Sequence, residues 1–154
     1  MKRSSTTSRQ KVMNKFFMAI ILFFPLFFLF KNSQAQVIKV GAGGEFRGRP
    51  PAGLMAKATY SFDFIDENLR SSADMMVLPE LEGNLDIHYS FISNFGFNAY
   101  GIGGVNLASN FGANIGAGLM YSFTERIYGY WESKYIIKQD EPEASIKVGV
   151  LINL

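Results

Sequence analysis

Residues 144–154 alternate without a break between two chemical sets. Ala144, Ile146, Val148, Val150, Ile152 and Leu154 are apolar, whereas Ser145, Lys147, Gly149 and Asn153 are small, polar or charged; Leu151 is the one exception. A period of two sends successive side chains to opposite faces, so this is a β-strand with one apolar and one polar surface. As the last element of the sequence it is expected to have lipid over its apolar face, with no following segment to cover it.

The N-terminus agrees with a membrane destination. Residues 1–15 carry Lys2, Arg3, Arg9, Lys11 and Lys15 and no acid, residues 16–30 are apolar except for Pro25, and Ser33 and Ala35 form a small-x-small site. A basic stretch, a short apolar core and a small-residue site make a cleavable signal peptide over residues 1–35. The apolar run falls short of the roughly 20 residues that a spanning helix needs. A lipid-anchored form is not expected, because no cysteine follows the run.

Residues 36–154 then form one domain. The whole chain carries a net charge of +2, but residues 1–35 hold six basic groups and no acid, which leaves the mature part at about −4. Nothing in that balance points to nucleic acid. An exported domain this small usually relies on disulfides, yet the chain has no cysteine. A closed barrel in a bilayer solves the same problem, because every backbone group is paired and lipid covers the apolar surface.

Turn signals divide the mature chain into eight strands, expected over residues 37–46, 52–62, 69–78, 81–91, 95–107, 111–123, 127–138 and 144–154. An even number of alternating segments of about ten residues is the pattern of an outer-membrane barrel. The two faces separate in most of them. In the sixth, Phe111, Ala113, Ile115, Ala117, Leu119, Tyr121 and Phe123 oppose Gly112, Asn114, Gly116, Gly118, Met120, Ser122 and Thr124. In the fourth, Leu81, Leu85, Ile87, Tyr89 and Phe91 oppose Glu82, Asn84, Asp86, His88 and Ser90. The fifth is less regular, and a bulge is expected at Gly103-Gly104.

Aromatic residues recur at one end of the strands: Tyr60, Phe62, Tyr89, Phe91, Phe95, Phe97, Tyr121 and Phe123. In an up-and-down barrel these share a rim, and aromatic rings favour the membrane–water boundary. The same rim holds both ends of the mature chain and is expected to face the periplasm. Phe46, Phe111 and Tyr135 form a thinner belt opposite.

Two stretches carry a resemblance. Tyr100-Gly101-Ile102-Gly103-Gly104 and the run from Asn110 to Tyr121, continued by Trp131-Glu132-Ser133-Lys134-Tyr135, resemble the outer-membrane protein β-barrel domain family, the small eight-stranded barrels of Gram-negative bacteria. The C-terminal run from Lys147 to Leu154 is similar to the signal read by the barrel-assembly machinery, at Lys147, Gly149, Ile152 and Leu154. It departs from that signal in ending on Leu instead of Phe and in having Ile152 where an aromatic is common. The resemblance implies the architecture and says little about activity.

Eight strands enclose a bore that side chains just fill. The inward set predicted from parity is Lys39, Lys57, Arg70, Lys134, Lys138 and Lys147 against Glu45, Asp63, Asp74, Glu82, Asp86 and Glu132, with His88 among them. Charges in a narrow bore must pair, so a plugging salt-bridge network is expected. The alternative is a narrow polar pore for small solutes.

Catalysis is not expected. The sole histidine, His88, has Asp86 and Ser90 two residues to either side, about 6–7 Å away along a strand, which is not nucleophile–base contact. One His and no Cys give no metal set, and the glycine runs 41–44 and 101–104 open no helix and so form no phosphate loop. They are expected where curvature or close packing excludes a side chain. The outer loops are short. Their basic pair, Arg47 and Arg49, offers a contact to lipopolysaccharide phosphates.

The expected fold is therefore an all-β, eight-stranded antiparallel up-and-down transmembrane barrel, without cofactor or metal, monomeric in outer-membrane lipid and non-enzymatic. Periodicity alone leaves a soluble lipocalin-like barrel open, in which the apolar face would line a cup for a hydrophobic ligand.

Overall fold

The computed structural model describes residues 38–47, 53–63, 65–78, 81–107, 111–138 and 142–154. The expected leader over residues 1–35 and the loop residue Arg49 lie outside them. Eight strands run in chain order: β1 (Ile38–Arg47), β2 (Gly53–Ser61), β3 (Leu69–Leu78), β4 (Glu82–Asn94), β5 (Phe97–Asn106), β6 (Gly112–Ser122), β7 (Ile127–Ile137) and β8 (Glu143–Asn153). Each pairs antiparallel with its sequence neighbours, and β1 pairs with β8 to close the barrel. The seam runs from Lys39↔Asn153 to Arg47↔Ser145, and the Leu154 amide donates to the Ile38 carbonyl at 3.0 Å. Closure leaves no open sheet edge.

Alternation decides which side of the wall each residue takes. Lys57, Thr59 and Ser61 of β2, Asp86, His88 and Ser90 of β4, and Glu132 and Lys134 of β7 are buried in the bore. Their neighbours Leu54, Ile87, Tyr89, Trp131 and Tyr135 are exposed on the outer surface. Polar inside and apolar outside is the inverse of a lipocalin-like cup, so that alternative is overturned. Leu151, the break in the C-terminal alternation, is buried in an apolar cluster within the bore with Tyr100, Ile102, Met120 and Tyr130.

Two expectations need correction. The register passes through Gly103 and Gly104 without a shift, whereas it slips in β4 between Ser90 and Ile92 and in β2–β3 at Leu54/Met55. Phe91 and Val77 are thus the extra residues. The fourth strand also runs on to Asn94, so Phe95 belongs to a two-residue turn with Gly96, not to the fifth strand. Both turn residues have positive φ, 51° and 79°, as tight hairpins of this twist require. The glycine runs divide by position. A Cβ at Gly104 would run into the Leu85 carbonyl and the Asp86 carboxylate, whereas at Gly101 and Gly103 it would meet nothing within 4 Å.

The aromatic residues gather at one rim, where two groups of rings are in contact. Tyr60 and Phe62 meet edge-on at 5.1 Å, Phe97 lies 4.6 Å from Tyr121, and Tyr121 meets Phe123 at 5.2 Å. Tyr89, Phe91 and Phe95 are exposed at the same end. Phe46, Phe111 and Tyr135 are exposed toward the other.

Candidate functional site

The bore is where strand geometry gathers chemistry, and it has three levels. At mid-height, Lys57 from β2 spans to Glu132 on β7, with Nζ 2.8 and 2.9 Å from the two carboxylate oxygens. Asp74 from β3 accepts from Lys147 of β8 at 2.6 Å, from Lys134 of β7 at 3.2 Å and from the Asn84 amide at 2.7 Å; Lys57 lies 3.5 Å away. Lys134 also donates to Asp86 and lies 3.7 Å from Glu132. Three lysines and three carboxylates are thereby tied together across five strands.

Neutral groups complete this level. Tyr100 donates its hydroxyl to Glu132 at 2.9 Å. Asn114 donates to Asn84 and Asp86 at 3.0 and 2.9 Å, and Asn106 donates to Asn84 at 2.9 Å. His88 is packed into the level by stacking on Tyr100 at 4.7 Å, with Nε2 3.9 Å from Glu132 and without a hydrogen bond. Its sequence neighbours are engaged elsewhere: Asp86 with Lys134 and Asn114, Ser90 with Arg70.

At the end away from the aromatic rim, Arg47 holds Glu45 at 2.8 Å and also Glu82, with Glu143 at 3.5 Å. Lys138 pairs with Glu143 at 3.0 Å and approaches Glu82 at 3.8 Å. Ser145 donates to Glu45 at 2.6 Å, and Lys147, 3.7 Å from the same carboxylate, links this level to the middle one. The expected loop role of Arg47 is therefore corrected: its side chain turns into the bore and is committed to three carboxylates. The first strand runs one residue beyond the expected 37–46, and parity with Glu45 then sends Arg47 inward.

The third level lies at the aromatic rim and holds Lys39 and Arg70. Arg70 donates to Ser90 at 2.8 Å and to Asn98, and its guanidinium sits 5.1 Å from the Tyr100 ring; Lys39 lies 4.6 Å over Tyr128. Asp63 is exposed on the turn after β2 and forms no ion pair among the described residues, so it does not belong to the network. Of the proposed assembly-signal residues, Lys147 points inward while Ile152 and Leu154 are exposed on the outer face. Gly149 lies beneath the Tyr130 hydroxyl, which a Cβ there would approach to 2.6 Å.

Arg47 and Glu143 each lie one residue beyond the strand bounds that the turn signals imply, and the irregular fifth strand gives no sign of Tyr100. The asparagines Asn84 and Asn114 were on the polar face, but nothing in the sequence singled them out as links. The two hydroxyls that meet carboxylates, Ser145 on Glu45 and Tyr100 on Glu132, are buried and share those carboxylates with Arg47 and Lys57. The ions are buried and in mutual contact, so pairing offsets their desolvation.

No family model and no curated protein matches the chain. Its fold is that of small eight-stranded outer-membrane barrels. The N-terminal β-barrel domain of OprF from Pseudomonas aeruginosa superposes with a TM-score of 0.60 at 19% identity, covering 77% of this chain and 97% of that one. Ail, the attachment invasion locus protein of Yersinia pestis, gives 0.55 at 14% identity over 77% and 97%. Neisserial surface protein A gives 0.50 at 11% identity over 76% and 96%.

Proposed function

We propose that the chain is an integral outer-membrane barrel of a Gram-negative bacterium whose lumen is sealed by its own ion network, serving a structural or surface-interaction role without enzymatic activity. The observation that supports this reading is the inverted distribution of polarity. Apolar side chains such as Leu54, Ile87, Leu119, Trp131, Val148 and Ile152 cover the outside, and lysine–carboxylate contacts cross the inside from wall to wall. Lipid is the partner that this outer surface fits. Residues 1–35 act as the export signal in this reading, the barrel-assembly machinery inserts the chain, and the aromatic rim sits at the periplasmic boundary.

A sealed bore is favoured over a narrow pore by Lys134, which touches Asp74, Asp86 and Glu132 from the centre of the section. A broad adhesive surface is disfavoured, because no more than five residues separate strand ends at the rim opposite the aromatic one. Contact with lipopolysaccharide there would have to come from groups other than Arg47.

Expression with the native leader followed by membrane fractionation tests the location. Recovery in the outer membrane, with an unheated gel band that shifts on boiling, is the expected result. Recovery in the soluble periplasm, or no shift on boiling, overturns the reading.

A further inference from the structure

Charge is not evenly spread along the bore. In the two levels away from the aromatic rim, five cations (Arg47, Lys57, Lys134, Lys138 and Lys147) meet six carboxylates in mutual contact. At the rim, Lys39 and Arg70 have no carboxylate within ion-pair distance among the described residues. They contact only neutral groups: the Tyr128 and Tyr100 rings, Ser90, Asn98 and Met120. Asp63, on the exposed turn, reaches both only through longer-range attraction. Both cations are nonetheless largely out of water, Lys39 at 8% exposure and Arg70 at 7%. Two buried cations without a counter-ion are unfavourable unless an anion joins them.

Unused polar atoms lie at the same place. Ser72 Oγ is buried without a hydrogen-bond partner, and so is Arg70 Nε. Register puts these groups side by side on the inner wall: Lys39 opposite Thr59, Thr59 opposite Ser72, and Ser61 opposite Arg70. Neighbouring strands lie about 4.8 Å apart and alternate residues about 7 Å apart, so the patch matches the reach of one ammonium and one guanidinium around a single group of oxygens. Exposure also increases in this direction. Glu132 and Lys147 are fully enclosed, whereas Thr59 and Ser61 retain a trace of solvent contact.

We propose that this end of the bore is a binding site for a phosphate-type oxyanion, held by Lys39 of β1, by Arg70 of β3 and by the hydroxyl of Ser72, two residues from Arg70 on the same strand. A group carrying close to two negative charges and several acceptor oxygens neutralises both cations and uses the free donors; the Nε edge of a guanidinium suits such oxygens. Free phosphate and the phosphate of a lipid headgroup share this chemistry. The site belongs to the folded barrel and stands independently of its location and of whether the bore conducts.

The test is a titration of the refolded barrel in a phosphate-free maltoside detergent with inorganic phosphate, followed by backbone amide shifts at Thr59, Arg70 and Ser72. Saturable shifts are expected, displaced by sulfate and not by chloride at equal concentration. Arg70→Gln and Lys39→Gln should each weaken binding by about tenfold or more, as loss of a charge-assisted contact implies. Lys138→Gln, at the far mouth, should leave it unchanged. Competition by short-chain phosphatidylglycerol would identify the headgroup as a source, and its failure would leave free phosphate. Non-saturating shifts, shifts reproduced by chloride (an adventitious ion only), or unchanged binding in Lys39→Gln would overturn the proposal. The wild-type titration decides the matter even if Arg70→Gln does not refold.

Discussion

Asp74 shows how much a single side chain can hold in this bore. It is buried, and three lysines from three other strands converge on it, two of them within hydrogen-bond distance. Replacing it with Asn keeps the shape and one acceptor but removes the carboxylate the three ammonium groups share, leaving Glu132 and Asp86 to Lys57 and Lys134 and only the longer contact with Glu45 to Lys147. Breaking a buried ion pair on one side is destabilising by roughly 3–5 kcal/mol, and Asp74→Asn should fall in that range. Lys138→Gln removes an ion pair whose partner Glu143 is partly in solvent, and should cost no more than about 1 kcal/mol. Urea unfolding of vesicle-embedded protein reports both through Trp131, the only tryptophan in the chain, which stands on the outer face. Equal losses in the two variants would mean that the middle level is hydrated and weakly coupled.

Elements are held together by side chains that lie across glycines. The Tyr100 ring of β5 lies over Gly118 of β6 and ends on Glu132 of β7, which is the register partner of Gly118. A Cβ at Gly118 would approach the ring to 2.6 Å. Gly118→Ala should therefore destabilise the barrel by about 1–3 kcal/mol, the usual effect of overpacking. The loss should be smaller when Tyr100 is already Ala. A double-mutant cycle measures that coupling, and additive losses would show that the ring does not lock the three strands. The β4–β5 turn offers a second case. Phe95 occupies the left-handed region, which costs a non-glycine residue about 1–2 kcal/mol and is tolerated better by Asn. The ring is fully exposed among the rim aromatics, so it adds apolar surface to the rim while its backbone strains the turn. Phe95→Asn and Phe95→Ala both delete the ring, yet the Asn variant should be the more stable by about 1 kcal/mol. Identical midpoints in urea would remove this explanation. At this scale the sequence was highly legible. A period of two assigned nearly every described side chain to its face, because one slipped residue would move a whole strand's apolar set inward. The slips themselves were hidden: Phe91 and Val77 read as ordinary strand residues, and the irregular fifth strand drew the expected bulge to the wrong glycines.

For the whole molecule, what the sequence could not reveal is which charges meet. Lys57 and Glu132 are 75 positions apart, and their contact depends on the stagger with which eight strands close, which no single strand encodes. Parity predicted a balanced inward set, but closure separated it into a neutralised middle, a slightly acidic far mouth built around Arg47, and a cationic mouth at the aromatic rim. That separation carries a prediction about conduction. The middle level crosses the bore with contacts that run from wall to wall, whereas Lys138 and Glu143 line an end. Wild-type protein in planar bilayers should show no steady conductance. Removing Lys134 and Glu132 together with alanines deletes one cation and one anion, so the remaining charges stay as balanced as before while the central obstruction shrinks. This double variant should keep its heat-dependent gel shift and conduct in discrete steps. Lys138→Ala with Glu143→Ala, an equally neutral change at the mouth, should stay closed. If the mouth variant opened the bore as readily as the central one, the constriction would lie at the Arg47 level. Steady conductance in the wild type would replace the sealed barrel with a narrow pore.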